Sequence, residues 1–124
     1  MDSRYRRLRI EVLDATSNRA ATGMRVDVFT LGARARKICG GIVDSHGVVD
    51  APTLASEPVA SGEYEVVFHI GEYFRGRGGA DALSPHLDTV PFRFATTGNQ
   101  GYVLPVRVSP REFALSAPFS AAIL

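Results

Sequence analysis

Few residues in this chain are of types that do chemistry at a fixed spacing. Glu11 lies in the alternating run Arg9-Ile10-Glu11-Val12-Leu13, and Arg107 lies in a second run, Leu104-Pro105-Val106-Arg107-Val108. A carboxylate in a partly dry cleft serves as a general base when burial raises its pKa. A guanidinium offers a planar fork that holds a carboxylate or an enolate. The same two groups can instead form a mutual ion pair, or stand exposed on a solvated sheet. The three histidines, His46, His69 and His86, are scattered and show no metal-ligand spacing. His46 falls in a turn and reads as a surface residue. His69 ends a strand, where local packing is its simplest role. His86 follows Pro85 in a loop with no visible partner. The single cysteine, Cys39, excludes an intrachain disulfide and a metal site built on cysteine pairs, and no local motif marks it as a nucleophile. Gly76-Arg77-Gly78-Gly79 lacks the Gly-Lys-Ser/Thr that would make it a phosphate loop. No cofactor and no metal are expected.

The elements that must position Glu11 and Arg107 are short strands. β-rich runs alternate with Gly, Asn, Asp and Pro punctuation, the spacing of an all-β domain. Strands are expected near residues 8–13, 24–31, 37–43, 48–51, 63–70, 87–96, 101–108 and 111–117. Pro91 argues for an edge position or a bulge, since proline cannot donate a ladder hydrogen bond. One short helix is expected over residues 71–78, stopped by Gly78-Gly79. About eight strands in two sheets make a sandwich. Residues 1–7 read as a lead-in, and residues 118–124 as a tail without an assigned role.

Period-2 alternation sorts these strands into faces. Leu8, Ile10 and Val12 form one core set, and Tyr102, Leu104, Val106 and Val108 another. Phe113 and Leu115 are assigned to the core in the last strand. Arg9, Glu11 and Leu13 then share the opposite face with Val103, Pro105, Arg107, Ala114 and Ser116.

Composition narrows the function classes. The 124 residues suit one domain, and 45% hydrophobic with 22% charged residues calls for a packed core. A net charge of +1 is too small for a nucleic-acid footprint. The one dense basic run, Arg4, Arg6, Arg7 and Arg9, reads as a solvated lead-in. No apolar run approaches the length of a transmembrane span, and the charged first ten residues cannot form the apolar core of a signal peptide. A soluble, cytoplasmic protein is expected, with no nucleic-acid or membrane partner.

The segment Ser61-Gly62-Glu63-Tyr64-Glu65-Val66-Val67-Phe68-His69-Ile70-Gly71-Glu72-Tyr73-Phe74 resembles the strand-then-helix segment of the transthyretin/5-hydroxyisourate hydrolase family. Val12-Leu13-Asp14 matches that family's first strand. Tyr102-Val103-Leu104-Pro105 with Ser109-Pro110 matches its last two strands. The resemblance runs in unbroken order over roughly residues 8–117. It implies a two-sheet sandwich with one short helix, assembled as a homotetramer, a dimer of dimers around a central channel. The channel holds the active sites of the hydrolases and binds hormone in vertebrate transthyretin.

The departures from the hydrolase pattern fall on its catalytic positions. Glu11 stands where those enzymes carry a histidine, Val48 where they carry an arginine, and Val103 where they carry a second histidine. Ser116-Ala117-Pro118-Phe119 replaces their terminal Tyr-Arg-Gly-Ser. That chemistry needs a histidine near neutral pH to activate water and a cation for the developing oxyanion, and valine supplies neither. By the resemblance, the channel carries Arg9, Glu11, Val48, Val103, Pro105, Arg107, Ala114 and Ser116. Glu11 and Arg107 are the expected catalytic pair, and the other six the expected ligand contacts. Three functions follow: an enzyme acting on a small cyclic metabolite by hydrolysis, isomerisation or cyclisation; a non-catalytic binding protein using the channel; and a structural subunit that kept only its assembly surface. Hydroxyisourate hydrolysis by a non-standard residue set is a further alternative.

Overall fold

The computed structural model describes residues 7–78, 88–97 and 100–122 of the chain, and of residues 120–122 the backbone. The lead-in up to residue 6, His86, the expected strand start at Leu87, Gly79 and Asn99 lie outside the described residues.

Among the described residues, ten strands and two short helices follow one another. One sheet joins β1 (Leu8–Asp14), β2 (Arg19–Ala20), β8 (Gly101–Ser109), β9 (Glu112–Leu115) and β10 (Ser120–Ala122). The other runs β5-β4-β3-β6-β7, formed by β3 (Arg25–Leu31), β4 (Ala35–Val43), β5 (Val49–Asp50), β6 (Gly62–Phe68) and β7 (Val90–Thr96). Its neighbours pair antiparallel. In the first sheet β1 and β8 run parallel, in register from Leu8 with Tyr102 to Asp14 with Val108. β7 is an edge strand, so Pro91 sits where a missing N–H does no harm.

The core is the space between the sheets. Leu8, Ile10 and Val12 face it from β1, and Tyr102, Leu104, Val106 and Val108 from β8. Val26, Val28, Val66 and Phe68 close it from the other sheet. The core residues of β1 and β8 are thus the ones that alternation picks out, while Pro105, assigned to the opposite face, is buried as well.

Four expectations need correction. The described residues hold ten strands rather than about eight, the additions being β2 and β10. A second helix, α1 (Pro52–Ser56), accompanies the expected one; Pro52 fits a first helical turn, where no N–H is needed. The tail has a role: Phe119 stacks on Tyr102 (centroids 5.5 Å, planes 8° apart) and meets Phe94 at 4.8 Å, and β10 then pairs with β8. Leu115 is 39% exposed rather than in the core. Phe113 alone reaches inward from β9, packing on Phe68 at 5.2 Å, because β9 is short and lies at the margin of its sheet.

α2 (Ile70–Arg75) docks through Ile70, Tyr73 and Phe74. The Tyr73 hydroxyl donates to buried Asp14 Oδ2 at 2.8 Å, while the Thr16 N–H and hydroxyl donate to Oδ1 at 2.9 and 2.6 Å. Burial pushes the Asp14 carboxyl up, but these hydrogen bonds outweigh it and hold the group below its ordinary value. Burial and the Asp14 carboxylate push the Tyr73 hydroxyl up to about 12. On the outer face of the second sheet, Asp27 Oδ2 accepts from His69 Nε2 at 2.8 Å and Oδ1 from Lys37 Nζ at 3.0 Å. Gly40 leaves room for that carboxylate, since a Cβ there would stand 2.8 Å from Asp27 Oδ1.

Candidate functional site

The parallel pairing of β1 with β8 sets the site residues side by side. Arg9 stands opposite Val103, Glu11 opposite Pro105 and Leu13 opposite Arg107. Arg107 in turn faces Ala114 of β9. Past the end of β9, the Ser116 N–H donates to the Pro105 carbonyl at 3.0 Å. Val48 reaches β1 through a bridge to Glu11. Arg9, Glu11, Val48, Val103, Pro105, Arg107, Ala114 and Ser116 therefore gather about one sheet, around the stretch of β1 and β8 that carries Glu11.

Glu11 takes Arg9, not Arg107, as its partner. Arg9 Nε donates to Glu11 Oε2 at 2.6 Å, and the two side chains are 58% and 39% exposed. The bond is charge-assisted and short. The stabilisation it gives in open water is small. Arg107 lies one inward-outward repeat further along, level with Leu13, and is exposed. Pro105 is buried, and Val48, Val103 and Ala114 are half-buried, so the surface around the ion pair is apolar.

A turn locks against β1 here. Asp44 Oδ1 accepts the His46 and Val48 N–H groups at 2.8 and 3.0 Å, which hold the Asp44 carboxyl below its ordinary value. Gly47 adopts φ +84°, a left-handed conformation that favours glycine. Its carbonyl accepts the Val12 N–H at 2.8 Å, and a Cβ would meet Val12 O and Ala20 Cβ at 3.4 Å. The turn thereby brings His46 to a cleft of about 250 Å³ that Glu11, Leu13, Ala20, Gly47 and Ser116 also line. His46 is exposed and lies in this turn, as its place in Asp44-Ser45-His46-Gly47 led us to expect; what the fold adds is that the turn lies beside Glu11.

The cleft thus holds a carboxylate kept in place by one cation, an imidazole and a hydroxyl. An imidazole is the side chain suited to proton transfer near neutral pH. Among the described residues no group of three or more His, Cys, Asp or Glu side chains could hold a metal ion. His69 is engaged with Asp27, and Cys39 packs half-buried against the core, where burial pushes its thiol up.

The family model described as HIUase/Transthyretin matches residues 8–116. 5-Hydroxyisourate hydrolase 2 of Rhizobium meliloti (strain 1021) is 36% identical over 114 residues, covering 90% of this chain and 95% of that protein. The crystal structure of (S)-allantoin synthase superposes with a TM-score of 0.77 at 29% identity, over 93% of this chain and 42% of that one. Transthyretin from Sparus aurata superposes with a TM-score of 0.78 at 23% identity, over 93% and 98%, and carries the same fold. With its match spanning nearly every element from β1 to β9, the chain belongs to the HIUase/transthyretin family.

Proposed function

We propose that this protein is an enzyme that acts on a small cyclic polar metabolite, by hydrolysis, isomerisation or cyclisation, at the cleft beside β1. The observation that carries the reading is the convergence of Glu11, His46 and Ser116 on one cleft, with Arg9 bonded to Glu11. Ring opening of a cyclic amide needs a group that removes a proton from water and a positive charge where an oxyanion develops. His46 offers the first and Arg9 the second. Glu11 fixes Arg9 and takes a donor group of the substrate. Arg107 supplies a further cation for a substrate carboxylate or enolate, and Val48, Val103, Pro105 and Ala114 form the apolar walls against which a flat ring packs. A homotetramer with a through-channel fits this reading, because Arg107 and Ser116 are exposed in the single chain and a facing subunit would enclose them.

The name of the Rhizobium relative makes urate-type heterocycles the first substrates to try. The residues at 11, 48 and 103 predict that 5-hydroxyisourate itself is not turned over at ordinary enzymatic rates, roughly 1–1000 per second. Urate oxidase generates that substrate in the cuvette, so the assay is direct; turnover in that range would establish hydroxyisourate hydrolysis by a non-standard residue set. A panel of cyclic ureides and imides, followed by ultraviolet absorbance and NMR, tests the wider reading. Turnover of one of them, reduced at least tenfold in Glu11→Gln and Arg107→Met with unchanged melting, supports it. Saturable binding without turnover would instead favour a binding protein, the reading suggested by the apolar Val48, Val103 and Pro105. Light scattering at micromolar concentration tests the assembly, and a monomer there removes the channel.

A further inference from the structure

The interior is tightly filled around Ile10, Val26, Val66, Phe68 and Leu104, each 0% exposed. At the end of the sandwich where β1 begins, the packing opens. A cavity of about 180 Å³ lies among Leu8, Val28, Ile38, Leu54, Val59 and Tyr64. It is a pocket open to solvent on one side, with a mostly apolar lining. A dry engineered cavity of roughly 150 Å³ takes up benzene. This one shares no lining residue with the Glu11 cleft.

Its walls and roof say what fits. The Tyr64 hydroxyl is engaged by the Ala60 carbonyl at 2.8 Å, so the ring contributes apolar surface. Three polar side chains, Thr30, Thr53 and Glu57, share the lining with these apolar ones and with Pro58 and Ala60. Glu57 is exposed, which puts it at the mouth, and it makes no ion pair among the described residues. The roof is α1, five residues long, with no buried residue and no side-chain cap, beginning at Pro52 and followed by Pro58. An element so lightly attached belongs to the part of a fold that opens most readily, which gives a ligand a way in.

We propose that this cavity is a binding site for a single-ring aromatic molecule bearing one hydrogen-bond donor, of the phenol type. The ring fills the space between Leu8, Val28 and Tyr64, and the donor meets Thr53 or the Glu57 carboxylate at the mouth. A ring carrying a carboxylate is rejected, because its charge would face Glu57. The site is independent of the channel-face chemistry proposed above.

The experiment uses the full chain with phenol, toluene and benzoate, read by amide chemical shifts in NMR and by thermal melting. Phenol is expected to saturate with a Kd of roughly 0.1–1 mM, in line with the efficiency of small ligands, to shift the amides of Leu8, Val28, Ile38 and Tyr64, and to raise Tm. Toluene is expected to bind at least threefold more weakly and benzoate not to bind. Thr53→Val lowers phenol affinity toward that of toluene if Thr53 takes the donor, and Glu57→Gln admits benzoate. Leu54→Phe narrows the cavity from the half-buried roof, where folding tolerates it, and should abolish binding. Shifts that do not saturate, shifts centred on the Glu11 cleft, benzoate binding as tightly as phenol, or undiminished phenol binding by Leu54→Phe would each overturn the proposal.

Discussion

The two sheets each carry charge on the face turned away from the core, and they carry it differently. On the second sheet Asp27 is buried and bonded to both His69 and Lys37, with Arg25 and Glu72 continuing the network onto α2. On the first sheet Glu11 has one partner, Arg9, and both remain open to solvent. A carboxylate whose lone pairs are filled from inside the chain is committed to the fold. A carboxylate with one exposed cation keeps acceptor capacity for something from outside. The contrast separates the structural charge cluster from the candidate site without any appeal to function.

Substitutions test that separation by size of effect. Asp27→Ala leaves His69 and Lys37 facing a vacated pocket and is expected to cost about 2–4 kcal/mol of stability by urea unfolding; a loss below about 0.5 kcal/mol would erase the distinction. Phe119→Ala, which strips the aromatic contacts with Tyr102 and Phe94, is expected to cost about 1–3 kcal/mol. A neutral result would return the tail to an ornament. Tyr73→Phe removes one donor from Asp14 and is expected to cost about 1–2 kcal/mol. Glu11→Gln is expected to change stability by less than about 0.5 kcal/mol while abolishing whatever the cleft does. A large loss of stability there would place Glu11 with Asp27.

The pH dependence sharpens the same contrast. Asp14 and Asp27 both have folded pKa values below their ordinary ones. Their contribution is therefore present above the unfolded carboxylate value, about 3.9, and is lost as pH falls through the lower folded value. Tyr73 is raised to about 12, so its contribution is present below about 10 and is lost as pH rises from there through 12. Melting temperatures across the range should show an acid decline softened in Asp27→Ala and an alkaline decline softened in Tyr73→Phe.

The parts of the fold that alternation could reach were legible. β1 and β8 are central strands with one face on the core, so period-2 patterning fixed which residues point away from it, Glu11 and Arg107 among them. Partner choice was not legible. Arg9 lies two residues from Glu11 on the same face of one strand and wins the contact, whereas Arg107 is displaced along β8 by a register that only the folded pairing reveals. Leu115 looked like core because alternation assumes a strand covered from the other side, and β9 has only a partial cover. α1 and β10 are too short to show periodicity: five and three residues span little more than one repeat. His46 is the exposed turn residue that the sequence suggested, but its nearness to Glu11 was not legible, because it depends on a turn clamped to a strand far from it in sequence.

The parallel ladder between β1 and β8 joins nearly the first described residues of the chain to nearly the last. During synthesis, on the order of ten seconds separates the emergence of one strand from that of the other. β3, β4 and β6 can pair among themselves within that interval, because all three precede β8 in the chain. β1 meanwhile waits with an unpaired edge and three large apolar side chains uncovered. The cleft at Glu11 therefore comes into being only once β8 has been made, and a ribosome that stops before Val108 releases a chain with a half-built sheet and a strand ready to pair with a neighbour.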